Sequence, residues 1–71
     1  MKLTPKQWKV LEAIIEYKEE HQVAPTVREL CRIVGLTSTS TMHGYLERLR
    51  DAGAIEWDPA KPRTIRVKIP S

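Results

Sequence analysis

The stretch TSTSTMHGYLERLRDAG, residues 37–53, decides how the chain is read. From Met42 onward apolar residues recur at helical spacing (Met42, Tyr45, Leu46, Leu49, Ala52), yet the run opens on Thr and Ser and carries Gly44 inside the pattern. Hydroxyl side chains compete for backbone hydrogen bonds, and Gly loses the most backbone entropy on becoming helical. A helix here carries its weakest formers on its opening turns. On a helical wheel Met42, Tyr45, Leu46 and Leu49 turn to a core. That leaves Thr39, Ser40, His43, Gly44 and Glu47 on the outward face, with Thr41 and Arg48 at its borders. Ser38 is the expected N-cap, and the Ala52-Gly53 pair the expected helix stop.

Upstream, APTVRELCRIVGL (24–36) supplies a second helix of about two turns. Thr26 is its cap, Glu29 stands three residues on, and Val27, Leu30, Cys31 and Val34 follow i, i+3, i+4, i+7 before Gly35 ends it. The short link to Met42 forces two helices to cross sharply, as a helix-turn-helix does. Further upstream, LTPKQW (3–8) reads as a first helix start: Thr4 as cap, Pro5 at the first helical position, Gln7 closing a capping box, and Leu3 with Trp8 as a hydrophobic staple. The spacing predicts a helix from Pro5 to about His21, with Val10, Leu11, Ile14, Ile15 and Tyr17 on a broad apolar arc. Lys9, Glu12, Glu16, Glu19 and Glu20 hold the narrow remaining face, which should point away from any polyanion.

Downstream of Gly53 the period changes to alternation. Ile55 and Trp57 flank Glu56, and Ile65, Val67 and Ile69 interleave with Arg66 and Lys68. Between them DPAKPR (58–63) is turn chemistry. The expectation is a mainly α (α+β) chain, a winged helix-turn-helix of three helices with a C-terminal two-stranded β-hairpin wing, forming one domain over residues 1–71.

Seventy-one residues sit near the lower end of what folds on its own core. The single Cys31 cannot pair within the chain, and no apolar run approaches the roughly 20 residues a membrane span needs. We read the chain as soluble, cytoplasmic and without a membrane partner. Net charge is +3 and grows along the chain: residues 1–25 sum to zero, residues 26–53 to +1, and the last eighteen to +2. This permits a nucleic-acid partner without demanding one. His21, His43 and Cys31 lack metal-ligand spacing, and there is neither a glycine-rich phosphate loop nor a nucleophile beside a base. We expect no enzyme, no metal and no cofactor.

A small, hydroxyl-rich, uncharged helix head suits a major groove, where short donors and acceptors meet base edges and helical N–H groups meet phosphate. The bland alternative is ordinary capping, with Gly44 a tolerated cost of about 1 kcal/mol. On the DNA reading Thr39, Ser40, Thr41, His43 and Gly44 read bases. Ser38, Lys61 and Arg63, with Thr26, Arg28 and Arg48, take phosphates. Arg48 has an alternative partner in Asp51, and Arg28 with Arg32 an alternative role in solubility. A competing class is a winged helix that docks on a protein, favoured by the modest charge and by a third helix without Lys or Arg before Arg48.

MKLTPKQWKVLEAI, APTVRELCRIVGL, STSTMHGYLERLRDAGAIE and RTIRV together resemble the N-terminal DNA-binding domain of LexA-type repressors over nearly the full length. The resemblance implies a three-helix core with a two-stranded wing, a third helix in the major groove, and repression of transcription on double-stranded DNA. It places operator reading at Ser38, Ser40, Thr41, His43 and Gly44. An Asn and paired acids usual in that stretch are replaced here by Ser40, His43 and Gly44, so the fold carries over and the operator sequence does not. LexA repressors continue into a self-cleaving domain that also dimerises. This chain is therefore expected to be either a fragment of such a repressor or a stand-alone regulator, with a homodimer or partner protein compatible with either.

Overall fold

Side-chain caps set where each helix begins. In the computed structural model, which describes residues 3–68, α1 spans Pro5–His21, α2 Val27–Val34 and α3 Thr39–Asp51. Thr4 accepts from the Gln7 N–H while Gln7 accepts from the Thr4 N–H, and Thr26 and Glu29 repeat the exchange on α2. Both capping boxes expected from the sequence are therefore formed. The staple is less clear-cut: Leu3 packs against the core, but Trp8 stays 42% exposed. At the other end of α2, Gly35 adopts φ +79, a left-handed conformation that an L side chain occupies only with strain. That residue turns the chain toward α3, and the Leu36 N–H returns to the Cys31 carbonyl at 2.9 Å. Gly53 ends α3 in the same way, as the Ala-Gly pair implied.

The core lies where the three helices meet the hairpin. Leu11 and Ile14 of α1, Leu30 of α2, and Met42, Leu46 and Leu49 of α3 are fully buried, joined by Ile55 and Ile65 from the hairpin. Each such side chain contributes about 1.5–3 kcal/mol of transfer free energy, which a chain of this size needs. Buried Cys31 adds a polar link, its thiol 3.8 Å from the Ser38 carbonyl, tying α2 to the start of α3.

The wing is shorter as a ladder than its alternation suggested. β1 (Ile55–Glu56) and β2 (Arg66–Val67) pair antiparallel, with Ile55 opposite Val67 and Glu56 opposite Arg66. The inward and outward alternation does hold: Ile55, Trp57 and Ile65 are buried, while Glu56, Arg66 and Lys68 are exposed. Backbone pairing stops early because the Thr64 hydroxyl, not a strand carbonyl, accepts the Asp58 N–H at 3.0 Å, and because Pro59 and Pro62 have no N–H to give. Ile69 lies outside the described residues.

Candidate nucleic-acid interface

The start of α3 differs from the other two helix starts. Ser38 accepts the Thr41 N–H at 3.4 Å, longer than the 3.2 and 3.1 Å cap bonds of α1 and α2. The third residue of this helix is Thr41, which has no carboxamide or carboxylate to reach back, so no capping box forms. The first turn of α3, like that of α1, carries no acid. The positive end of α3 is thus closed only by the long Ser38 cap bond and is not neutralised by an acid of its first turn. Thr39, Ser40 and Thr41 are exposed, and among the described residues their hydroxyls make no hydrogen bond. Gly44 lies one turn further along, and a Cβ built there would meet nothing within 4 Å. Packing does not require Gly at this position.

His43 calls for a correction. It is half-buried, not fully outward: its ring meets the Trp57 ring edge-on, with centroids 5.2 Å apart at 73°. The helical period put it on the outward face, but Trp57, on the chain leaving β1, covers that flank. Arg50, seven residues on, holds its guanidinium carbon 5.6 Å from the same ring and donates to the Trp57 carbonyl at 3.4 Å. Trp57 therefore seats the wing on one flank of α3. On the other flank, Tyr45 shares a cleft with Lys6 and Lys9 of α1 and Leu36 of the turn. The face between carries Ser40, Gly44 and Glu47.

The expected phosphate contacts divide into two groups. Arg28, Arg48 and Lys61 are exposed, and among the described residues none has an ion-pair partner, Asp51 included. Ser38 and Thr26 each accept a cap bond on the hydroxyl oxygen, and the O–H is their donor. Arg63 is engaged: Nη1 and Nη2 bond the two Glu29 oxygens at 3.1 and 3.2 Å, and Nη1 also reaches the Ala24 carbonyl at 2.9 Å. Glu29 was legible from sequence only as a capping residue. In the fold its carboxylate also accepts the Tyr17 hydroxyl of α1 at 2.9 Å.

The Thr26 backbone N–H foremost, then the Tyr17 hydroxyl and Arg63, hold the Glu29 carboxyl down from 4.5 to about 2. Because the folded value is the lower one, the stabilisation is complete above about pH 4.5 and is lost as pH falls toward about 2. Partial solvation at this site limits the gain to about 1–2 kcal/mol. Urea unfolding at roughly pH 6 and pH 3 is expected to show a larger acid loss in the native chain than in Glu29→Gln, by about 1 kcal/mol, since at pH 3 part of the stabilisation remains. Equal losses would remove Glu29 from the acid response.

Against this geometry, a family model described as the LexA DNA binding domain matches residues 1–64. The chain belongs to the LexA DNA-binding domain family. Among similar curated proteins, the LexA repressor of Acetivibrio thermocellus is 48% identical over 66 residues, covering 93% of this chain and 31% of that protein. The LexA repressor of Lacticaseibacillus casei is 52% identical over 63 residues, 87% of this chain and 30% of its own length. That of Caldicellulosiruptor saccharolyticus is 49% identical over 65 residues, 92% and 32%. The chain thus spans about a third of the LexA repressors it matches. Among the described residues no helix is long and apolar enough to cross a membrane.

Proposed function

We propose that this LexA-family domain binds double-stranded DNA sequence-specifically and acts as a transcriptional repressor, with α3 in the major groove and the wing on the backbone. Thr39, Ser40, Thr41 and Gly44 face the bases, with His43 reaching them from the Trp57 flank. Ser38 and Thr26 offer hydroxyl donors to phosphates, and Arg28, Arg48 and Lys61 offer charge. One observation carries this reading: α3 alone of the three helices opens with unpartnered hydroxyls and no capping box. A helix start left open in this way is matched to a polyanion and to base edges.

Recovery of a consensus from a pool of random duplexes tests sequence specificity. A single domain of this size spans one half-site, so two copies on a two-fold site complete an operator. Such a protein works on the bacterial chromosome, in the cytoplasm. With three unpaired cations on phosphates, log K is expected to fall against log salt with a slope of roughly −3. A flat salt titration would reject the reading. Changing Ser40 or His43 should alter the selected bases, whereas Lys61→Ala should weaken all sites alike and reduce the slope by about one.

A further inference from the structure

Of the two cations in the wing loop, the Lys61 side chain makes no hydrogen bond or ion pair among the described residues, and the Arg63 side chain makes three hydrogen bonds, to two residues. Arg63 also sits at φ +57, a left-handed backbone that costs a side-chain-bearing residue of order 1 kcal/mol or more. Such strain persists only where surrounding contacts over-determine it. All three contacts fall at the start of α2, on the Ala24 carbonyl two residues before the cap and on both oxygens of Glu29. The loop bearing Lys61 is braced within itself. Asp58 accepts the Ala60 N–H on its side chain at 3.0 Å and the Lys61 N–H on its carbonyl at 3.0 Å, and the Thr64 hydroxyl accepts the Asp58 N–H. A braced loop fixed at Arg63 moves with α2. Thr26, Arg28, Lys61 and Arg63 then line one cleft between the wing and the helix-turn-helix.

Glu29 closes the capping box of α2, but a bare carboxylate on a DNA-facing surface would repel phosphate. Its bidentate pairing with Arg63 cancels that charge and fixes direction, which the fork of Arg does and the point charge of Lys does not. Resting on the DNA-binding reading above, we infer that Glu29 and Arg63 form a clamp that holds the wing loop against α2 so that Lys61 meets a backbone phosphate. Arg63 is a positioning residue, not a phosphate ligand.

The test measures affinity of the 71-residue chain for a duplex recovered by selection from a random pool. Glu29→Gln removes the charge and keeps the cap, because Gln7 serves α1 in the same role. It is expected to weaken binding about fivefold, against the tightening that loss of an acid would otherwise give. Arg63→Lys is expected to weaken binding by about the same factor although its charge is kept. On a Lys61→Ala background, Glu29→Gln is expected to change affinity by less than about twofold, because the wing no longer has a contact to lose. Thermal melts establish that each variant is folded at the assay temperature; should Glu29→Gln melt below it, the Arg63→Lys and Lys61→Ala comparison decides. Tighter or unchanged binding by Glu29→Gln, native affinity in Arg63→Lys, or an undiminished effect on the Lys61→Ala background overturns the clamp while DNA binding stands. A native chain that enriches no duplex overturns both.

Discussion

Trp57→Ala is expected to remove about 3–4 kcal/mol of stability, the largest loss of any single change at the wing. The indole is only 8% exposed, packed in the core cluster with its ring between His43 and Arg50. Arg50 is exposed, so its contact with the ring is worth no more than about 0.5–1 kcal/mol. The edge-on imidazole adds a similar amount. Most of the loss therefore comes from removed burial and the cavity left behind. A chain of this length has a total of about 4–10 kcal/mol, so Trp57→Ala removes about a third or more of it. Trp57→Phe keeps an aromatic ring in the site and should cost about 1–2 kcal/mol. Urea titrations followed by circular dichroism measure both. A loss below about 1 kcal/mol for Trp57→Ala would mean that the wing is not seated through this ring.

The helices were legible because their signals are local. Thr4 with Gln7, Thr26 with Glu29, and the glycine at position 35 write the ends of α1 and α2 within four residues of where they act. The outward placement of Thr39 and Ser40, with Thr41 at the border, followed from the helical period alone. What the sequence could not show depends on chain crossings. His43 is covered from one side because the wing returns along that flank, and nothing between residues 39 and 51 announces it. Arg63 and Glu29 are 34 residues apart, and the basic character that made Arg63 a phosphate candidate is what lets it take the carboxylate. The two-residue strands were overread because alternation reports which face is buried. It does not report which carbonyl accepts each N–H, and at Asp58 a threonine hydroxyl competes successfully.

Gly44→Ala is expected to move stability and DNA affinity in opposite directions. In a helix interior Ala is favoured over Gly by about 0.8–1.0 kcal/mol. A Cβ at this position meets nothing within 4 Å, so no steric cost offsets the gain. The melting temperature should rise by about 4–8 °C for a domain of this size. The same methyl would stand on the exposed face of α3, one turn behind the open hydroxyls, where the absence of a side chain lets a base edge or phosphate approach the backbone. Loss of that approach is expected to weaken binding to the selected duplex about thirtyfold, within the range of a lost base contact. Calorimetric melts and equilibrium titrations on the same preparation separate the two effects. A protein that gained stability and kept native affinity would show that Gly44 serves neither packing nor DNA. One that lost stability would contradict the open space beside its Cα. Only the opposed pair of changes fits a helix whose weakest former is kept for what lies against it.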